Sequence, residues 1–445
     1  MAVRLPKVLL TAALALPLLV PIEARAFSCG WTSGWLAREN AKDGAPSWSS
    51  DIPVLASRWD QEDIKKRSEG FFNRVSVACG ESAKLQITQP ARIEMYRLGY
   101  YNGAGARLIK TAAVTRYWSF SVTPEMSPGQ YVVKIKRAGS LPRFVPIMII
   151  DRNSDAPITF VSSVYTWQAY NRSGGKSLYK GEENTAKGAA KIVSFDRPYD
   201  NAGTGRMRWM ETPLVKMLEE NGVDINYLTD DDVSDGTLLR TQSIVLPGHS
   251  EYWTEIERSS FEGAVARGTN FIAFGGNTGY RRIDVDKRKI GNRKNFRDLG
   301  NPESTLLGSM YFALDYYSDL MVQEPDQWPF SAIAPSTNIA GIYGYEVDTY
   351  MDATVPEIAV LALSKDEKDG KRATTTYYNA ESGAGVLNMA SNGWVCALEN
   401  TCPWGHRFDE ENVRNIRAVT KAVIVDLDKG PLVKIHPALT TVAAR

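Results

Sequence analysis

Histidine is scarce in this sequence, with three in 445 residues at positions 249, 406 and 436. The only one in the middle of the chain lies in Gly248-His-Ser-Glu251, which is not the G-x-S-x-G turn of a serine-hydrolase elbow. A phosphate loop is missing as well. Gly174-Gly-Lys-Ser177 has Tyr170 where the Walker pattern needs its first glycine, and no helical pattern follows the glycines at 99, 103 and 105. Four cysteines without a C-x-x-C pair disfavour a thiolate metal site, and an oxidising compartment uses them better as disulfides than as nucleophiles. Charge of either sign is not in excess. The formal net charge is +1, and losing Arg4, Lys7, Arg25 and Glu23 with an N-terminal leader takes it to −1. Nucleic acid and lipid surfaces are thereby disfavoured as partners. Beyond Val8 to Val20 there is no long apolar run, so the sequence predicts no membrane span after leader removal.

That one apolar run follows Arg4 and Lys7 and precedes Ala24-Arg25-Ala26, so residues 1–26 read as a signal peptide cleaved after Ala26, with a periplasmic or secreted destination. Cys396 and Cys402 are close enough to staple a loop, which leaves Cys29 to pair with Cys79. At ~150 residues per domain, the length implies two or three domains.

From 27 to 152 the text is β. Alternating or apolar runs at Arg74–Ala78, Lys84–Thr88, Arg92–Arg97, Tyr131–Ile135 and Phe144–Ile150 are separated by Gly, Pro and Ser, which predicts an Ig-like β-sandwich. Asp155-Ala-Pro157 reads as a linker. Residues 156–430 then alternate strands with helices: strands at Ile158–Ser162, Lys191–Phe195, Asp224–Leu228, Ser243–Leu246 and Asn270–Phe274, and helices at Glu211–Asn221, Thr254–Gly268 and Asn412–Leu427. This is the pattern of an α/β domain with a doubly wound sheet. Val164–Tyr179 reads as an aromatic, Gly-rich loop, Arg281–Asn301 as a charged surface loop, Leu306–Tyr317 as an aromatic segment, and 431–445 as a frayed tail. Thr229 or Asp230 reads as a helix cap.

The strand Ser243–Leu246 runs into His249 and Glu251, at the carboxyl end where open α/β sheets keep their ligands. Tyr165, Tyr170, Tyr179 and Tyr199 border other strands of the same domain, and Asn277 follows Gly275-Gly276 past another strand end. Phenolate and carboxylate oxygens suit a hard cation such as ferric iron, with imidazole nearby to move protons. Such an ion would activate water for hydrolysis without a protein nucleophile. The plainer reading of each tyrosine is packing or hydrogen bonding.

Several motifs occur in order: Arg92-Ile-Glu-Met-Tyr-Arg-Leu-Gly-Tyr-Tyr-Asn-Gly-Ala-Gly-Ala-Arg107, Gln168-Ala-Tyr-Asn171 with Ser177-Leu-Tyr179, Val193-Ser-Phe-Asp-Arg-Pro-Tyr199, Tyr227-Leu-Thr-Asp230, Gly248-His-Ser-Glu-Tyr-Trp253 and Gly275-Gly-Asn-Thr278. Together they resemble the family of the N,N-dimethylformamidase large (beta) subunit and its secreted relatives, over roughly residues 70–425 and including Gly341–Asp348 and Val386–Ala397. The resemblance implies a sandwich-like domain followed by one similar to class I glutamine amidotransferases but lacking their nucleophilic Cys. It also implies one iron held by two tyrosines and a glutamate, and hydrolysis of a small amide. Carried over, Glu251 is the glutamate ligand, Tyr170 one tyrosine ligand and Tyr179 the other, while His249 and Asn277 line the site as catalytic groups. Tyr199, Tyr165, Thr166 and Phe195 stand in second rank. The chain is much shorter than the amidase. The expected function is a periplasmic or secreted metal-dependent amidohydrolase using Fe(III) on a small-molecule or envelope-derived substrate. The rival expectation is a non-catalytic protein that binds a glycan or envelope ligand through some of its twenty Tyr and eleven Trp.

Overall fold

The computed structural model describes residues 29–49, 69–181, 183, 185–200, 203–236, 239–350 and 358–438. The leader and its cleavage site lie outside these residues. The described chain is β-rich, built from mixed sheets with few long helices.

Five strands pair in the order Ser76–Ala78, Arg143–Ile150, Gly129–Lys136, Ala91–Leu98, Ala106–Val114, and three more in the order Phe71–Phe72, Ser82–Gln86, Tyr117–Ser121. Both sheets contribute to one core that includes Val77, Leu85, Met95, Phe120, Val133 and Ile147. Phe144–Ile150 within the strand Arg143–Ile150 reads as an unbroken apolar run because both its faces are covered. Val145, Ile147 and Ile149 join this core, Met148 and Ile150 belong to a cluster shared with the larger sheet, and Phe144 packs with Val164, Tyr165 and Trp167. A disulfide between Cys29 and Cys79 ties the first described residues to this unit.

The larger sheet has nine strands, in the order Ile225–Thr229, Ile158–Ser162, Ser243–Leu246, Asn270–Ala273, Gly385–Asn388, Thr374–Asn379, Ala359–Ser364, Ser309–Val322, Asn338–Tyr350. The first five are parallel and the last four continue antiparallel. Period-2 alternation splits the parallel strands between two cores. Phe160, Val245, Ile272 and Leu387 share a core with Leu214 and Leu218 of the helix Thr212–Glu220 and with Ile416 and Val423 of the helix Glu410–Ile424. Val161, Ile244, Phe271 and Val386 share the other with Phe261 and Val265 of the helix Glu255–Ala266. Strand order reverses between Ile158–Ser162 and Ser243–Leu246, which opens a crevice beyond their carboxyl ends.

Three expectations are corrected. Residues 281–301 are not a loop: Arg281–Asp286 and Lys289–Asn295 form a hairpin in a four-stranded sheet with Ile192–Ser194 and Tyr252–Trp253. Ile283 and Ile290 are buried from it, and the charges between them hid the alternation. Val164–Tyr170 is a helix rather than a loop. Six of its seven residues are buried, so it shows no amphipathic period, and its first N–H groups are capped from afar. Glu211 accepts from Ser163 N at 2.9 Å and Asp230 from Tyr165 N at 2.9 Å. The end of the chain is not frayed through residue 438. Leu432 is fully buried, its N–H donates to Asn270 Oδ1 at 2.9 Å, and His436 stacks on Trp328.

Candidate metal centre

Two strand ends, one position inside a long strand and one helix converge in the crevice. Past Ser243–Leu246 the chain turns through Gly248, whose N–H donates to Met210 O and where a Cβ would lie 3.0 Å from Val395. His249, Ser250 and Glu251 follow, all buried. The helix Val164–Tyr170 fixes their backbone, since Thr166 Oγ1 accepts from Glu251 N at 3.0 Å and Tyr252 N at 3.2 Å. Thr166 thus supports the site without facing its centre. Tyr170, the last residue of that helix, and Tyr179 stack on one another at 4.5 Å between ring centroids, with Tyr252 edge-on to both.

Their hydroxyls meet on one carboxylate. Tyr170 donates to Glu251 Oε2 at 2.8 Å, and Tyr179 donates to Glu251 Oε1. Arg281 Nε approaches Oε1 at 3.4 Å. Beside this trio lies a residue the sequence reading did not single out, Glu346 of the strand Asn338–Tyr350. Its Oε2 is 2.8 Å from His249 Nε2 and accepts from Asn392 Nδ2 at 2.9 Å, and its Oε1 is 3.3 Å from the Tyr170 hydroxyl. Ligand atoms of His249, Glu251 and Glu346 all lie within 4.8 Å of one another. Glu346 was missed because it is one charge in a long alternating strand. The available signal was the pair Glu346 and Asp348, two apart on one face of a buried strand inside the Gly341–Asp348 motif.

Asn277 approaches from the Asn270–Ala273 strand. It sits at φ 55°, its N–H donates to Asp348 Oδ1 at 2.6 Å, and its own Oδ1 is buried without a hydrogen bond. The preceding glycines are required by contact. A Cβ on Gly275 would lie 2.5 Å from Gly248 O, and one on Gly276 2.5 Å from Glu346 O. Tyr345 (φ 64°) and Asp315 (φ 52°) are also left-handed, at an irregularity where the register between the two longest strands shifts beside Glu346. Bulges of this kind re-aim side chains next to sites.

The second-rank residues lie elsewhere. Tyr165 donates to Asp231 at 3.0 Å, Tyr199 packs edge-on against Trp167, and Phe195 packs against Tyr165. All three pack in the apolar cluster that also backs Tyr170 and Tyr179, and among the described residues none of their contacts is with Glu251.

Electrostatics separates the two carboxylates. Burial and the charge of Glu346 push Glu251 up. Burial would raise Glu346 too, but the His249 ring, Arg206 and the Asn277 amide overcome it and hold its carboxyl at about 2. Burial and the Glu251 charge raise both phenols, so they serve as hydrogen-bond donors, an order that a bound cation inverts. The donor set fits a hard cation: two phenol and two carboxyl groups are gathered with an imidazole whose ring nitrogens, both buried, make no well-aligned hydrogen bond.

The C-terminal profile of the N,N-dimethylformamidase beta subunit-like family matches residues 92–404, and the chain belongs to that family. The family indicates hydrolase-type chemistry. No curated protein matches the chain. Among solved structures, an uncharacterized protein from Bacillus anthracis str. Ames is 19% identical over 21% of this chain and 93% of its own, at a TM-score of 0.16. A cycloisomaltooligosaccharide glucanotransferase from Paenibacillus sp., complexed with cycloisomaltoheptaose, is 8% identical over 81% of both chains, at a TM-score of 0.19. Neither likeness carries an argument about this fold.

Proposed function

We propose that the protein is a periplasmic or secreted metal-dependent hydrolase of a C–N amide bond, with ferric iron held by Tyr170, Tyr179 and Glu251. The observation that carries this reading is the meeting of two phenol hydroxyls, from positions 170 and 179, on the two oxygens of Glu251. When bound, the ion supplies Lewis acidity and a water of lowered pKa. The chain's own groups do the rest. The His249–Glu346 pair takes a proton from the attacking water and returns it to the leaving amine, and the unpartnered Asn277 Oδ1 accepts from the substrate N–H or from that water. One water is consumed: its oxygen bonds to the acyl carbon, the C–N bond breaks, and acid and amine leave.

In this reading the five- and three-stranded sheets are an Ig-like sandwich and the nine-stranded sheet an amidotransferase-like domain. Two disulfides, Cys29–Cys79 and Cys396–Cys402, fit an oxidising compartment, and no helix among the described residues is long and apolar enough to cross a membrane. A glycan platform is less well supported, because Tyr170 and Tyr179 spend their faces on each other and on Tyr252. The test is amine release from a panel of small amides by purified protein. Turnover should stop on chelation, return with iron and be absent from Glu251→Ala; turnover indifferent to metal removal contradicts the reading.

A further inference from the structure

We propose that the substrate carries an anionic group, a carboxylate attached near the scissile amide, and that Arg206 is the residue that binds it. The inference rests on the hydrolase reading and names its substrate class.

Arg206 is 7% exposed, and its guanidinium carbon lies 3.8 Å from the ring centroid of Tyr170, on the face of a proposed ligand. Its charge bears on Tyr170, Tyr345 and Glu346, and also on the buried carboxylate of Asp200, with which it makes no ion pair or hydrogen bond. A guanidinium removed from water needs an anion or a set of acceptors. The two fully buried arginines show this: Arg97 is bidentate on Glu219, at 2.6 and 3.2 Å, and Arg258 donates to Glu262 and Thr305, both at 2.6 Å. Arg206 has nothing comparable. Its side chain makes no ion pair or hydrogen bond among the described residues, and its Nε is fully buried without a partner. The other cations at the centre are engaged: Arg281 donates from Nη1 to Asn295 Oδ1 and lies 3.4 Å from Glu251 through Nε, and Arg293 is 3.5 Å from the Tyr252 hydroxyl. Arg206 is therefore the one cation touching the centre, among the described residues, whose hydrogen-bonding capacity is unspent. A planar fork stacked on a tyrosine ring is preset for two parallel bonds to a carboxylate.

The rival role is purely internal: Arg206 tunes Tyr170 and touches no ligand. Titration calorimetry separates the two, with N-acetylglycine and its methyl ester as probes that differ by one charge. For the wild type the acid should bind at least about thirtyfold more tightly than the ester, the range of a desolvated charge pair. Arg206→Met should abolish that preference, and Arg206→Lys, which keeps the charge without the fork, should retain part of it. Thermal melts of both variants establish that they are folded. Equal binding of acid and ester by the wild type, binding of neither, or a preference that survives in folded Arg206→Met would overturn the proposal. Amide turnover by the wild type without charge discrimination would sink this inference alone, whereas charge-selective binding without metal-dependent turnover would sink the hydrolase reading.

Discussion

Glu251 and Glu346 lie in one buried crevice, but their partners divide the work. Glu251 receives two phenol hydroxyls, the arrangement of a ligand group in waiting, whereas Glu346 lies 2.8 Å from an imidazole nitrogen and accepts from the Asn392 amide. The difference predicts different mutant phenotypes. His249→Asn should lower kcat by about 10²–10⁴, the usual worth of a positioned general base, while iron content stays unchanged. Metal analysis beside steady-state kinetics checks this, and loss of iron in His249→Asn would move the imidazole into the ligand set.

At the scale of elements, the centre depends on the short helix Val164–Tyr170, which carries Thr166 and Tyr170 and is capped by buried carboxylates. Glu211 accepts from Ser163 N, Trp167 Nε1 and Gln130 Nε2 at 2.9, 2.8 and 2.7 Å. Burial nevertheless outweighs these bonds and pushes its carboxyl up to about 8. A carboxyl raised on folding contributes stability that is complete below its unfolded value of about 4.3 and is lost as pH rises through the folded value. The melting temperature should therefore fall between pH 5 and 8.5, and Glu211→Gln should flatten that fall. Melts at the two pH values decide it; an unchanged slope in the variant means that Glu211 is ionised throughout. The same helix marks what a single sequence conceals. Ser243–Leu246 and Glu255–Ala266 were legible because one face of the helix meets solvent and the strand is short and bounded by turn residues. Val164–Tyr170 was not, since burial on every side erases the period and its caps lie tens of residues away. His249, Glu251 and Asn277 were legible as polar tips after strands. Tyr170 and Tyr179 took their roles from the family resemblance, and Glu346, inside a strand, needed the fold.

For the whole molecule, the decisive contact is the one that bolts the N-terminal sheets to the helices packed on the nine-stranded sheet. Arg97 on Ala91–Leu98 and Glu219 on Thr212–Glu220 form an ion pair with both side chains fully buried. Around it Tyr101, Tyr227 and Glu39 complete a polar network within an otherwise apolar junction. Arg97→Met strands the Glu219 charge and should cost about 3–5 kcal/mol, read by chemical denaturation. A loss below about 1 kcal/mol would mean that water or local rearrangement rescues the carboxylate.

The proposed centre requires Tyr170 and Tyr179 to share one ferric ion with Glu251. Its most direct test is the visible absorption spectrum of the purified, iron-containing protein. A tyrosinate-to-iron charge-transfer band should be present, should weaken and shift in Tyr179→Phe, and should vanish when Tyr170 is replaced as well. An iron-loaded protein without visible colour, or a band indifferent to both substitutions, would exclude a ferric ion shared by the two tyrosines.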